Sequence, residues 1–124
     1  MKKQEIIQTN AYCAHNVLVK DGHVFYCDSM AGALMRNSEV AYKNAGYFMR
    51  GIAFTDRYMV IGGSKFARRE ERESSDSVIY ILDNRLQHLK TVSLQSIGQV
   101  YEIRGVNNDY GLSLINANGN KGCG

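Results

Sequence analysis

Short apolar runs separated by tight turns dominate this sequence, and they come in matched sets. Residues 17–29 (VLVKDGHVFYCDS) align without a gap on residues 52–64 (IAFTDRYMVIGGS). Each segment is an apolar run, a turn around an Asp, a second apolar run and a closing Ser. Asp21 and Asp56 are related by the same offset of 35 residues as Ser29 and Ser64. A period of that size marks one supersecondary unit used more than once, and such units bury their faces by stacking on each other.

The pattern inside each unit predicts strands. Val17-Leu18-Val19 and the run 24–27 flank Asp21-Gly22, and Asp-Gly between two apolar runs is a hairpin signal. The run 24–27 (VFYC) has no polar alternation, so both of its faces are expected to be covered. Residues 33–36 form a third short run and 40–42 a fourth. The second unit repeats this through 52–54, 58–61, 78–82 and 89–94, with Asp83-Asn84-Arg85 as a turn because Asp and Asn bond their own backbone. A third unit begins at 100–106, turns at 107–109 and runs on through 110–115. Residues 1–10 read as a polar lead-in or a fragment of an edge strand, and the Asn/Gly-rich segment 116–124 as a tail with nothing to pack. Helical periodicity is faint and confined to 67–73.

Four short strands per unit, repeated at about 40–50 residues, is the pattern of a β-propeller blade. The expected fold is therefore all-β, with about two and a half four-stranded antiparallel units at 13–48, 49–97 and 98–116, followed by a flexible tail at 117–124. Propellers close with about four to eight blades, so the ring is incomplete within one chain. The chain is then a piece of a longer protein or a partial propeller that self-associates through its open blade faces, which are apolar and need cover.

Composition narrows the function classes. The chain has 124 residues, 44% hydrophobic and 22% charged, enough for one domain with a real core. A net charge of +3, from 15 basic and 12 acidic residues, is too mild and too scattered for nucleic acid. No apolar stretch is long enough for a membrane helix, and Gln4, Glu5 and Gln8 interrupt the start where a signal peptide is continuously apolar. The expected compartment is the cytoplasm. Cys13, Cys27 and Cys123 are odd in number and far apart with no CxxC, so no zinc site and no cofactor are expected, and Cys27 reads as a small buried apolar residue. Asn107-Asn108-Asp109 offers oxygens but no acidic partner at calcium spacing.

Three phrases carry a resemblance. His15-Asn16-x-x-x-x-Asp21-Gly22 with Cys27-Asp28-Ser29 is one; Arg50-Gly51-Ile52-Ala53 with Gly62-Gly63-Ser64 and a following Arg is the second; 98–104 (GQVYEIR) is the third. Together they resemble an uncharacterised family of β-propeller-like repeat proteins, several blades long and often found near glycosyltransferase or tetratricopeptide proteins. The resemblance implies a multi-blade fold over residues 13–106 and implies no activity. In length the chain departs from that pattern.

The chemistry-bearing residues gather where blades begin. His15, Asn16, Arg50, Glu102 and Arg104 all stand at or just before the first strand of a unit, and in a propeller those positions converge on the central channel. With Ser64 and Arg68 they form the expected ligand-binding set, suited to a sugar or an anion because Arg recognises oxyanions bidentately. The same residues also suit a purely structural ring of hydrogen bonds that fixes blade register. An enzyme reading is the alternative, with His15 and Glu102 as acid and base of a hydrolase or lyase. Gly62-Gly63-Ser64-Lys65-Phe66 lacks the second glycine of a nucleophile elbow and the spacing of a phosphate-binding loop, so no catalytic residue is assigned. The charge run 65–76 (KFARREERESSD) is an insertion relative to the first unit, read as a solvated loop or a binding loop with Arg68 or Arg69 folded back.

Overall fold

The computed structural model describes residues 11, 13–44, 46–105 and the strand backbone of 106 and 111–115. The expectations for 1–10, 107–109 and 116–124 lie outside the described residues.

Ten strands follow in chain order: β1 (Ala14–Lys20), β2 (His23–Asp28), β3 (Ala33–Arg36), β4 (Glu39–Lys43), β5 (Phe48–Phe54), β6 (Tyr58–Ser64), β7 (Ser77–Asp83), β8 (His88–Leu94), β9 (Glu102–Val106) and β10 (Gly111–Ile115). They form two four-stranded antiparallel meanders, β1-β2-β3-β4 and β5-β6-β7-β8, and one two-stranded ladder, β9-β10. The all-β class and the repeated four-strand unit are thus both present, and no sheet closes on itself among the described residues.

The repeat holds at the level of register. Ala14 pairs with Asp28 and Leu18 with Phe25; 35 residues later Met49 pairs with Gly63 and Ala53 with Val60. Both first strands carry a bulge at the same place, between His15 and Leu18 and between Arg50 and Ile52. The bulge residues, Asn16 and Gly51, have φ of 59° and 85°, the left-handed region that only Gly and Asn enter at low cost. Asp21 and Gly22 also have positive φ, as a two-residue type I′ hairpin requires. The charge run 65–76 holds a 3-10 turn at Arg69–Ser74 with no buried residue, between β6 and β7, where the first unit has only a tight turn.

The first sheet packs face to face on the second. Their shared core includes Phe25, Cys27, Leu34, Met49, Ile61 and Leu82, each at most 5% exposed. Phe25, Tyr26 and Cys27 are consecutive and all buried, so both faces of β2 are covered. The opposite face of the second sheet carries a smaller core of Ala53, Val60, Val100 and Ile103. Strand β5 therefore lies between β1 and β9 and contacts both. Gly62 makes the second junction possible, because a Cβ there would meet the carbonyl oxygen of Arg50 and the side chain of Val100.

The closing serines fasten these junctions. Ser29 Oγ donates to the Met49 carbonyl at 2.7 Å, and the Ser29 carbonyl accepts from Met49 N–H at 3.3 Å. Ser64 Oγ accepts from Val100 N–H at 2.9 Å. In both units the Ser at the end of the second strand is bonded to the first-strand region of the next unit.

Candidate functional site

The two bulges aim polar side chains along one row. Asn16 Oδ1 accepts from Gly51 N–H at 2.9 Å, and Asn16 Nδ2 donates to the Tyr101 carbonyl at 3.3 Å. One side chain thus spans all three units. Beside it the matching residues His15, Arg50 and Tyr101 touch in series. An Arg50 terminal nitrogen donates to His15 Nδ1 at 3.1 Å, and its guanidinium carbon stands 4.8 Å from the centre of the Tyr101 ring. A cation over an aromatic face is attracted by the ring quadrupole.

Arg50 is only 6% exposed. Burial lowers its pKa; Tyr101 and Cys27 act the other way, and Arg72 opposes it as a second cation. Among the described residues no carboxylate contributes. His15 lies below the usual imidazole range, first because it is partly buried and second because it faces the Arg50 cation. The imidazole is therefore neutral, accepts at Nδ1 and carries its proton on Nε2. His15 Nε2 and Arg50 Nε are buried without a hydrogen-bond partner among the described residues.

Next to this row the edges of β1, β5 and β9 border a cleft of about 500 Å³, lined by residues such as Asn16, Val17, Phe54, Glu102 and Arg104. Glu102 and Arg104 pair with each other at 2.7 Å, with side chains 41% and 64% exposed. Of the expected set, His15, Asn16 and Arg50 come together, and Glu102 and Arg104 share the cleft with Asn16. Ser64 does not join them: it is 1% exposed, and its hydroxyl holds the Val100 N–H and lies 3.2 Å from that of Ser77, so a ligand cannot reach it. Arg68 flanks the 3-10 turn, exposed, and Arg69 is exposed within it. The cation from this insertion that acts on Arg50 is Arg72.

Three contributors were missed in the sequence. Tyr101 was legible in principle, since aligning Tyr101-Glu102-Ile103 on Arg50-Gly51-Ile52 places it in the row. Gln99, which accepts from the Tyr101 hydroxyl at 2.9 Å, and Arg72 left no such signal. Of the two residues of the enzyme alternative, His15 accepts from Arg50 at Nδ1, and the Glu102 carboxylate accepts from Arg104. Among the described residues no group of three or more His, Cys, Asp or Glu could hold a metal, and no helix is long and apolar enough to cross a membrane. No family model, no curated protein and no solved structure matches this chain.

Proposed function

We propose that the chain is a non-catalytic recognition module of β-propeller type, binding a sugar or small anionic ligand, or a partner presenting one, at the cleft bordered by β1, β5 and β9. Successive meanders, first strands side by side and serine fasteners at both junctions support the propeller reading. The observation that carries the function is the cleft itself. Three units converge on it, and Arg104 stands exposed at its wall with its guanidinium free to trade Glu102 for an oxyanion. The edges of β1 and β5, each at the end of its sheet, add backbone donors and acceptors.

The test is a panel of monosaccharides, sugar acids, phosphate and sulfate, read by calorimetry and by thermal shift. At least one is expected to bind wild type and to lose about tenfold or more in affinity on Arg104→Ala, the scale of one charged hydrogen bond. Binding unchanged in Arg104→Ala, or no binder at millimolar ligand, refutes the reading.

A further inference from the structure

The repeat gives each residue of the first sheet a counterpart in the second, and two counterparts differ sharply in exposure. Val17 corresponds to Ile52, and Val19 to Phe54, through the shared register and bulge. Ile52 is 5% exposed and Phe54 half-buried, both packed in the core between the sheets. Val17 and Val19 are 69% and 68% exposed. Tyr26, opposite the bulge, is buried; on that face the exposed apolar residues are Val17 and Val19 on β1, a strand at the end of its sheet, and Val40 at the far edge on β4. The first sheet is thus patterned for burial on a side where the described residues supply no cover. Isolated surface valines are ordinary, but a contiguous apolar strand in a position that is core in its twin is an interface pattern.

What covers it follows from the other end of the stack. Ile103 is buried against the second sheet as Ile52 is against the first, so Arg104 takes the place of Leu18 and Ala53 in the third unit. Leu18 and Ala53 face the next sheet as apolar residues; Arg104 faces outward, charged and paired to Glu102. Among the described residues that end presents the charged pair of Glu102 and Arg104, and head-to-tail stacking would desolvate this ion pair against two valines. The same valine strand of another molecule is a complement.

We propose that two copies of this chain pair about a two-fold axis through their β1 faces, with Val17 and Val19 of each copy packed on those of the other. Such an isologous contact closes after two copies, the commonest form of soluble assembly.

Light scattering after size exclusion, loaded from micromolar to millimolar chain, tests it. Wild type is expected at twice the 13.9 kDa chain mass. Val17→Lys/Val19→Lys is expected to weaken dimerisation about 100-fold or more, because four buried valines become opposed charges. Leu89→Lys, at a leucine 52% exposed on β8 of the second sheet, is expected to leave it unchanged. Circular dichroism checks folding, and if the double Lys variant fails that check, Val17→Thr/Val19→Thr takes its place with about a tenfold loss expected. A wild-type monomer at every loading, a dimer that survives the folded variant, or oligomers that grow with concentration instead of stopping at two would each overturn the proposal.

Discussion

Asn16 combines a backbone role and a bridging role that substitution can separate. Its φ of 59° forms the β1 bulge, while its amide satisfies Gly51 N–H and the Tyr101 carbonyl. Asn16→Ala removes both hydrogen bonds at about 1 kcal/mol each. It also forces a Cβ-bearing residue without a local polar partner into the left-handed region, for about 1 kcal/mol more. The sum is about 3 kcal/mol, or a fall in Tm of roughly 12 °C for a domain of this size. Asn16→Gly loses the same two bonds but tolerates the dihedral, and its looser unfolded chain costs about 0.5 kcal/mol, so about 2.5 kcal/mol is expected. Asn16→Asp keeps the acceptor for Gly51 N–H and loses only the donor, so it falls below both. Urea unfolding at 25 °C measures the series, and amide exchange at Gly51 reports whether its N–H has lost its partner. Both Ala and Gly variants within about 0.5 kcal/mol of wild type, the range of an ordinary surface change, would refute the three-unit bridge. A larger loss for Asn16→Gly than for Asn16→Ala would refute the backbone argument.

Other consequences are testable by the same methods. Gly62→Ala puts a Cβ against the Arg50 carbonyl and Val100, and since a carbonyl cannot yield as a flexible side chain does, a loss of about 3 kcal/mol is expected in urea unfolding. Tyr80 is 1% exposed with its hydroxyl unpartnered among the described residues, and burial holds its pKa well above the ordinary range; Tyr80→Phe is expected to keep or raise Tm, whereas a drop would mean the hydroxyl has a partner. His15 has a folded pKa below its unfolded value of about 6.5. Its contribution is therefore complete above that pH and drains as pH falls toward the folded pKa, because the unfolded chain takes up the proton first. His15→Gln, which can still accept from Arg50, is expected to lose less stability than wild type between pH 7 and pH 5; parallel pH profiles would refute the assignment.

The fold was more legible in the sequence than the site. Asp21-Gly22 identified its hairpin because a type I′ turn needs two positive φ values and few residue pairs supply them. The run 24–27 revealed a strand covered on both faces because alternation is missing there. The serines show where such reasoning stops. Their repetition marked them as structural, but whether a Ser ends a turn or bonds the neighbouring unit depends on what packs beside it, here Met49 and Val100 at sequence separations of 20 and 36. The insertion is similar. Charge counting identified 65–76 as solvated, yet which of its arginines acts on Arg50 depends on how the 3-10 turn at Arg69–Ser74 is oriented.

The buried row and the open cleft divide the labour between stability and recognition. A buried guanidinium with no carboxylate is stable only where its surroundings replace water; at Arg50 a neutral imidazole and an aromatic face do so. Those contacts join the first strand regions of three units, so truncating Arg50 removes the link between β1 and the segment before β9 and opens a polar void. Arg104, 64% exposed and paired with one exposed neighbour, carries almost no folding energy, since such pairs contribute about 0–1 kcal/mol. Arg50→Ala is accordingly expected to lower Tm by several degrees, with ligand affinity recovered wherever the variant is folded. Arg104→Ala is expected to leave Tm within about 2 °C and to weaken binding. The reverse assignment, Arg50→Ala stable but unable to bind, would make the buried row itself the ligand site and reduce the cleft to a by-product of blade packing.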